Sequence, residues 1–309
     1  MADDLTARWV APAQRMSQRA WPWLDTARDQ LALPTGIPPC ELDQGRHLKP
    51  VIELALAGSI AIREGASGSQ SAQIASSLVE FAWKQLDSGQ LLYQLQRQHP
   101  LDTLPLEAYA VFVQAGYRHP RLEALLTHLA GLRATRKPEL LPNRLLGVVN
   151  AEQVIGLASR WSTDDLVATT WLSSDAEPWT ADLETLYCVT HTAFHLTDWA
   201  ARPAGLPTAL QDYLHAWLPA WLEVYLEAGH WDIVGEMLMV DLCLTEPDFP
   251  VTAWERLADA QQPDGMVPAE PGRDTRTAAT VVRNHYHSTV IAAIAGTLAI
   301  ARRLDPHRR

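Results

Sequence analysis

Between Leu183 and Trp199 the chain reads Leu-Glu-Thr-Leu-Tyr-Cys-Val-Thr-His-Thr-Ala-Phe-His-Leu-Thr-Asp-Trp. On a helix, Glu184, Cys188, His191, His195, Asp198 and Arg202 recur at steps of four and three, which stack side chains on one face. Two His four apart can close on one metal ion. Zinc accepts Cys, His and carboxylate ligands, and non-haem iron uses two His and a carboxylate. His191, His195, Asp198 and Cys188 are therefore the candidate ligands, with zinc or non-haem iron as the candidate cofactor. The plainer reading is a metal-free polar face with ordinary hydrogen bonds. His-Thr-Ala-Phe-His lacks the Glu of a zinc-protease helix, so that class is set aside.

A second focus is His230-Trp231-Asp232-Ile233-Val234-Gly235-Glu236. Asp232 and Glu236 stand one turn apart at the start of an otherwise apolar helix. Two bare carboxylates so placed repel unless one keeps its proton or a cation lies between them. The plainer reading makes Asp232 a helix-start residue and pairs Glu236 with a neighbouring cation. A third focus is Arg283-Asn284-His285-Tyr286-His287-Ser288-Thr289, before the apolar run Val290–Ile300. Ser288 or Thr289 is expected to cap a helix there. A His at a helix N-terminus stays neutral, which suits a ligand or a general base.

Three polar foci in apolar surroundings suit one shared cavity better than three solvated faces. His191, Asp198, Asp232, Glu236 and His287 are the expected catalytic residues. With a metal, His191, His195 and one carboxylate hold the ion, and His287 is base or fourth ligand. Without one, Glu236 is an acid of raised pKa and His191 a base held by Asp198. Tyr187, Phe194, Trp199, Trp231 and Tyr286 stand beside the foci and are expected to wall a substrate. Trp21, Trp23, Trp83, Trp217, Trp221 and Trp254 read as core anchors.

The elements that must position these groups are helices. Apolar residues recur at three and four almost everywhere and period-two alternation is rare. Helices are expected at about 13–32, 48–64, 70–87, 103–116, 120–134, 143–160, 180–201, 207–228, 230–245, 251–262 and 278–304, with Pro and Gly at the breaks and a kink at Pro219. The stretch 161–180 reads as a long loop. No linker divides the 309 residues, so the expectation is one all-α domain, frayed over 1–12 and 305–309. Amphipathic pairs return about every forty residues, the scale of a helical hairpin, which leaves a closed ring of hairpins, a bundle or a solenoid.

Leu257-Ala-Asp-Ala-Gln261-Gln-Pro-Asp-Gly265 resembles the Gln-x-x-x-Gly turn of α/α-toroid proteins such as squalene–hopene cyclases and protein prenyltransferase β subunits. Met266 and Val267 stand where those proteins carry an aromatic residue. A wider resemblance rests on Lys49 to Ala57, Leu141-Pro-Asn-Arg144, Thr190-His191 with Thr197-Asp198, Trp231 to Glu236, and Tyr286-His287-Ser-Thr289. These resemble an uncharacterised actinobacterial all-helical family found near natural-product gene clusters, in which Tyr and Phe are usual where this chain has His195 and Trp199. The resemblance implies an architecture and a set of positions, with no reaction attached.

Composition narrows the rest. A net charge of -11 argues against nucleic acid and anionic membranes, which need clustered Lys and Arg. Three separated cysteines fit a reducing cytoplasm, and neither a signal peptide nor a spanning segment is evident. No phosphate loop, nucleophile elbow or Asp-rich diphosphate motif occurs, which sets aside a diphosphate-ionising terpene synthase. The expectation is a cytoplasmic enzyme of specialised metabolism acting on a mostly apolar small molecule or modified peptide, by cyclisation, dehydration or isomerisation. A homodimer is allowed. The alternative is a non-catalytic helical ligand-binding or scaffold protein.

Overall fold

A computed structural model describes residues 8–65, 70–136, 139–270 and 277–305. Among these residues there is no strand, and thirteen α-helices follow one another: α1 (Val10–Ala27), α2 (Lys49–Arg63), α3 (Gln70–Gln85), α4 (Gln90–Gln98), α5 (Leu104–Gln114), α6 (Pro120–Ala130), α7 (Pro142–Ile155), α8 (Thr163–Val167), α9 (Leu183–Thr197), α10 (Thr208–Ala228), α11 (Trp231–Cys243), α12 (Val251–Ala260) and α13 (Ala278–Leu304). The chain is a single all-α domain. Pro stands in the first turn of α2, α5, α6 and α7, where its missing N–H is not needed. Asp182 and Thr277 accept backbone N–H groups at the starts of α9 and α13. Gly156 and Gly229 end α7 and α10 in the left-handed conformation.

Each of the eleven expected helices is present, and α10 runs through Pro219. Two elements were not foreseen. α4 occupies a stretch assigned to no helix, and its Leu91, Leu92 and Leu95 are buried. The expected loop at 161–180 contains the single turn and a half of α8 and 3-10 turns at 171–173 and 178–180. The amino-terminal fraying expected as far as residue 12 fails at its far end. Trp9 is buried, stacked on Phe249 at 4.2 Å, and α1 starts at Val10. The breaks at Lys137-Pro138 and within 66–69, and the tail at 306–309, lie outside the described residues.

Six helices touch in a closed cycle: α2 meets α5, α5 meets α7, α7 meets α9, α9 meets α11, α11 meets α13, and α13 returns to α2. The remaining long helices pack outside it. α3 lies on α2, α10 on α11, and α1 lies against α13, α3 and α12. In α11 every residue from Ile233 to Cys243 is buried, as expected of a helix enclosed on all sides. Two of those residues, Glu236 and Asp241, are acids. A buried carboxyl must find partners, and the partners of Glu236 form the site.

Candidate functional site

Asp232 sits in the first turn of α11, where the helix dipole favours a carboxylate, and Glu236 follows one turn on. α9 supplies a donor to each. Tyr187 Oη donates to Asp232 Oδ2 at 2.5 Å and Thr190 Oγ1 to Glu236 Oε2 at 2.5 Å. α13 supplies His287 and α2 supplies Glu53. His287 Nδ1 lies 3.0 Å from Glu53 Oε2, while its Nε2 faces Glu236 Oε1 at 3.5 Å and Asp232 Oδ1 at 3.7 Å. Lys49 Nζ, one turn before Glu53, is 3.6 Å from Glu53 Oε1. His191 Nδ1 meets the Tyr187 carbonyl at 2.8 Å and lies 3.8 Å from Glu236 Oε2. Four helices of the cycle thus bring three carboxyls and two imidazoles to one place.

Burial opposes charge on His287, but Glu53, Asp232 and Glu236 outweigh it and hold its pKa well above the usual histidine value. Burial likewise pushes Glu236 up, and His191, His287 and the Thr190 hydroxyl pull it below the usual carboxylate range. Glu53 follows the same pattern, brought down against burial by His287 and Lys49. Asp232 differs. Burial raises it, and the neighbouring Glu236 adds to burial against the pull of His287. The cluster therefore sets an acid pushed toward its protonated form one turn from an acid held toward ionisation.

The hollow beside it has a volume of about 420 Å³, lined from α2, α5, α7 and α9. Ile52, Leu56, Val111 and Trp199 give it an apolar side; Glu53, Glu107, Arg144 and His191 give it a polar one. Arg144 Nη2 meets both Glu107 oxygens at 2.9 Å. His195 also lines the hollow. Burial, then His191 and Arg144, push its pKa far down, so it is a neutral imidazole, and its buried Nε2 has no hydrogen-bond partner. A Cβ at Gly147 would stand 2.9 Å from that nitrogen and 3.0 Å from Glu107 Oε2. Only a glycine lets α7 come this close to the ring.

The structure brings Asp232, Glu236, His287 and His191 together, and it separates several residues that the spacing grouped with them. The helical stripe does not reach Asp198, because α9 ends at Thr197 and Asp198 turns left-handed at φ 49°. Its carboxylate accepts from Gln114, Asn150 and Arg63. It therefore does not hold His191, whose Nδ1 is engaged by the Tyr187 carbonyl. His191, His195, Asp198 and Cys188 do not converge as a group of metal-competent atoms. Among the described residues, the one group of three metal-competent atoms within 4.8 Å of one another is Asp232, Glu236 and His287. Glu236, expected to be the acid of raised pKa, is lowered, and Asp232 takes that part. His287 lies inside α13, not at its start. Thr277 is the cap, while Ser288 donates to the Val267 carbonyl and Thr289 to that of His285. His287 is therefore no helix-start imidazole, and its acid neighbours set its charge.

Of the expected substrate walls, Trp199 lines the hollow. Phe194 is fully buried in the core and stacks on Trp199 at 4.8 Å. Tyr187 and Tyr286 are bound to carboxyls of the cluster, Asp232 and Glu53. Trp231 packs on the core beneath Arg256. Trp21, Trp23, Trp83, Trp221 and Trp254 are buried as core anchors, whereas Trp217 is exposed. The residues that spacing missed are Glu53, Glu107, Arg144, Gln114 and Asn150. Glu53 and Glu107 carried a readable sign, a lone acid within the apolar runs Val51–Ala57 and Leu104–Val113. An isolated charge on a buried helix needs a reason.

The fold and site define an all-helical protein in which six helices touch in a cycle and four of them line a hollow bearing acids and imidazoles. The chain belongs to the family of the domain of unknown function DUF6895, whose model matches residues 17–297. No curated protein and no solved structure matches it. No helix among the described residues is long and apolar enough to cross a membrane.

Proposed function

We propose that this protein is an enzyme carrying out acid/base chemistry on a mostly apolar small molecule or modified peptide held in the hollow. One observation carries the reading: Asp232, pushed toward its protonated form, stands one turn from Glu236, which is held toward ionisation, with His287 beside both and His191 linking Glu236 to a cavity of substrate size. Asp232 donates a proton and His191 accepts one. In a dehydration, the base takes a C–H proton, the acid protonates the departing hydroxyl, and water leaves. In an isomerisation or a cyclisation the same pair moves one proton off the substrate and another on. The α/α-toroid comparison is supported by the cycle of six helices; a place in specialised metabolism and in the cytoplasm rests on the sequence reading alone.

The test is untargeted. Pure protein is incubated with a metabolite extract of its host and the mixture is compared by mass spectrometry with Asp232→Asn and His191→Gln variants. Wild type is expected to convert one compound to an isomer or to a product lighter by one water. Each variant is expected to lose about 10²–10⁴-fold in rate, the usual share of one general acid or base. A compound retained by the protein but recovered unchanged would make this a binding protein. Equal turnover by the variants would place the chemistry elsewhere.

A further inference from the structure

We infer that Asp232, Glu236 and His287 form a site for one divalent transition-metal ion of the zinc, manganese or iron(II) class. The inference uses the same cluster as the acid/base reading but does not depend on turnover. Three atoms converge: His287 Nε2, Glu236 Oε1 and Asp232 Oδ1, all within 4.8 Å of one another. His287 Nε2 stands 3.5 Å from Glu236 Oε1 and 3.7 Å from Asp232 Oδ1, long contacts that leave room between the three atoms. Ligand atoms sharing one ion at bonds of about 2.0–2.2 Å stand about 3–3.5 Å apart, so the two separations from His287 need to close only slightly. Asp232 Oδ1 is out of water and has no hydrogen-bond partner, although a buried carboxyl oxygen without one is costly.

The other end of each side chain is already held. Glu53 accepts from His287 Nδ1, Tyr187 donates to Asp232 Oδ2 and Thr190 donates to Glu236 Oε2. That is the outer ring of partners found around metal ligands, which fixes the imidazole tautomer and aims the free atoms inward. A carboxylate behind the imidazole leaves the Nε2 lone pair for an ion. One nitrogen and two oxygens suit a transition ion, whereas calcium and magnesium prefer oxygen alone. The competing state is a metal-free His287 imidazolium between the carboxylates; an ion would displace its Nε2 proton.

The full chain is stripped with EDTA, then titrated with Zn²⁺ by calorimetry and with Mn²⁺ by electron paramagnetic resonance. One equivalent per chain is expected. Asp232→Asn and His287→Gln are expected to weaken binding at least about tenfold, and Glu53→Gln about 10–100-fold through loss of the outer partner. Cys188→Ser is expected to bind as wild type does. Where a charge-removing variant does not fold, Tyr187→Phe and Thr190→Val keep every charge, and their weakened affinity carries the same meaning. Absence of a stoichiometric ion, or unchanged affinity in all the ligand and partner variants, overturns the site. Turnover by a protein whose titration shows no ion leaves the acid/base reading standing without the metal site. An ion bound by a protein with no turnover does the reverse.

Discussion

Acids on the enclosed helix α11 show how far surroundings, and not residue type, decide charge. Glu236 is ionised because two imidazoles and a hydroxyl face it; Asp232 resists ionisation because burial and Glu236 act together. For Asp241, on the same helix, the pull of His215 is weak beside burial and does not offset it. Burial pushes its pKa up to about 7, even though it accepts the backbone N–H groups of Asp248 and Phe249 at 2.9 and 3.1 Å. In the unfolded chain the same group titrates near 3.8. Below that pH it is neutral in both states and the fold loses nothing. As pH rises from about 4 to 7, the unfolded chain ionises first, and stability falls by an amount on the order of 4 kcal/mol. Above about 7 this contribution is flat. Urea unfolding of wild type and Asp241→Asn at intervals from pH 4 to pH 8 checks the point. Asn is expected to lower the acidic plateau, because its amide meets one of the two N–H donors, and to flatten the slope; parallel slopes would contradict the assignment.

At the scale of elements, the end of α9 explains both the reach and the failure of reading spacing. Steps of three and four placed His191 and His195 correctly on one helix, and both line the hollow. The next step, to Asp198, assumed another turn of helix. Asp198, Trp199 and Ala200 instead follow one another in the left-handed region, at φ 49°, 54° and 62°. No glycine marks the stop, so no local signal announced it. The strained turn is held from afar by Arg63 at the end of α2, which donates to the Asp198 and Trp199 carbonyls at 3.0 and 2.8 Å. α4 escaped notice for a different reason. Nine residues between Ser88-Gly89 and His99-Pro100 give too few turns for periodicity to speak. Replacing Arg63 by Met keeps most of its bulk and removes the donors. It is expected to cost about 2–4 kcal/mol, read as a lowered urea midpoint. A stable Arg63→Met protein would show that the turn holds itself.

At the scale of the molecule, the fold class was legible because amphipathic period and Pro–Gly punctuation are local properties. The grouping of helices was not, since α2, α5, α7, α9, α11 and α13 become neighbours only through contacts distant in sequence. Glu53 meets His287 across 234 residues, and nothing in either segment names the other. What the sequence does show is the strain such a meeting relieves: single acids on helices otherwise fit only for burial. The cycle must also be sealed where its first and last helices meet. α1 does this, lying along α13 and over α3, with α13 against α2. Its contact with α13 is built from small residues. Ser17 Oγ reaches the Ala293 carbonyl at 3.4 Å, and a Cβ at Gly296 would stand 2.6 Å from Ser17 Cβ and 2.7 Å from the Ala13 carbonyl. A backbone oxygen cannot rotate away as a side chain can, so Gly296→Ala must push α1 and α13 apart. In an exposed helix Gly→Ala stabilises by roughly 0.5–1 kcal/mol. Here the overpacking outweighs that gain, and a net loss of about 1–3 kcal/mol is expected. Gly45→Ala, whose Cβ would meet only Asp43 Oδ1 at 3.6 Å, is the control and is expected to stay within about 0.5 kcal/mol of wild type. Urea unfolding of the two variants side by side reads the difference. Because α13 also carries His287, Gly296→Ala is expected to disturb the His287 imidazole resonances in NMR spectra, more than ten ångströms along the helix by its rise of about 1.5 Å per residue. A Gly296→Ala protein as stable as wild type, with those resonances unmoved, would mean that α1 is an ornament on the ring and not its clasp.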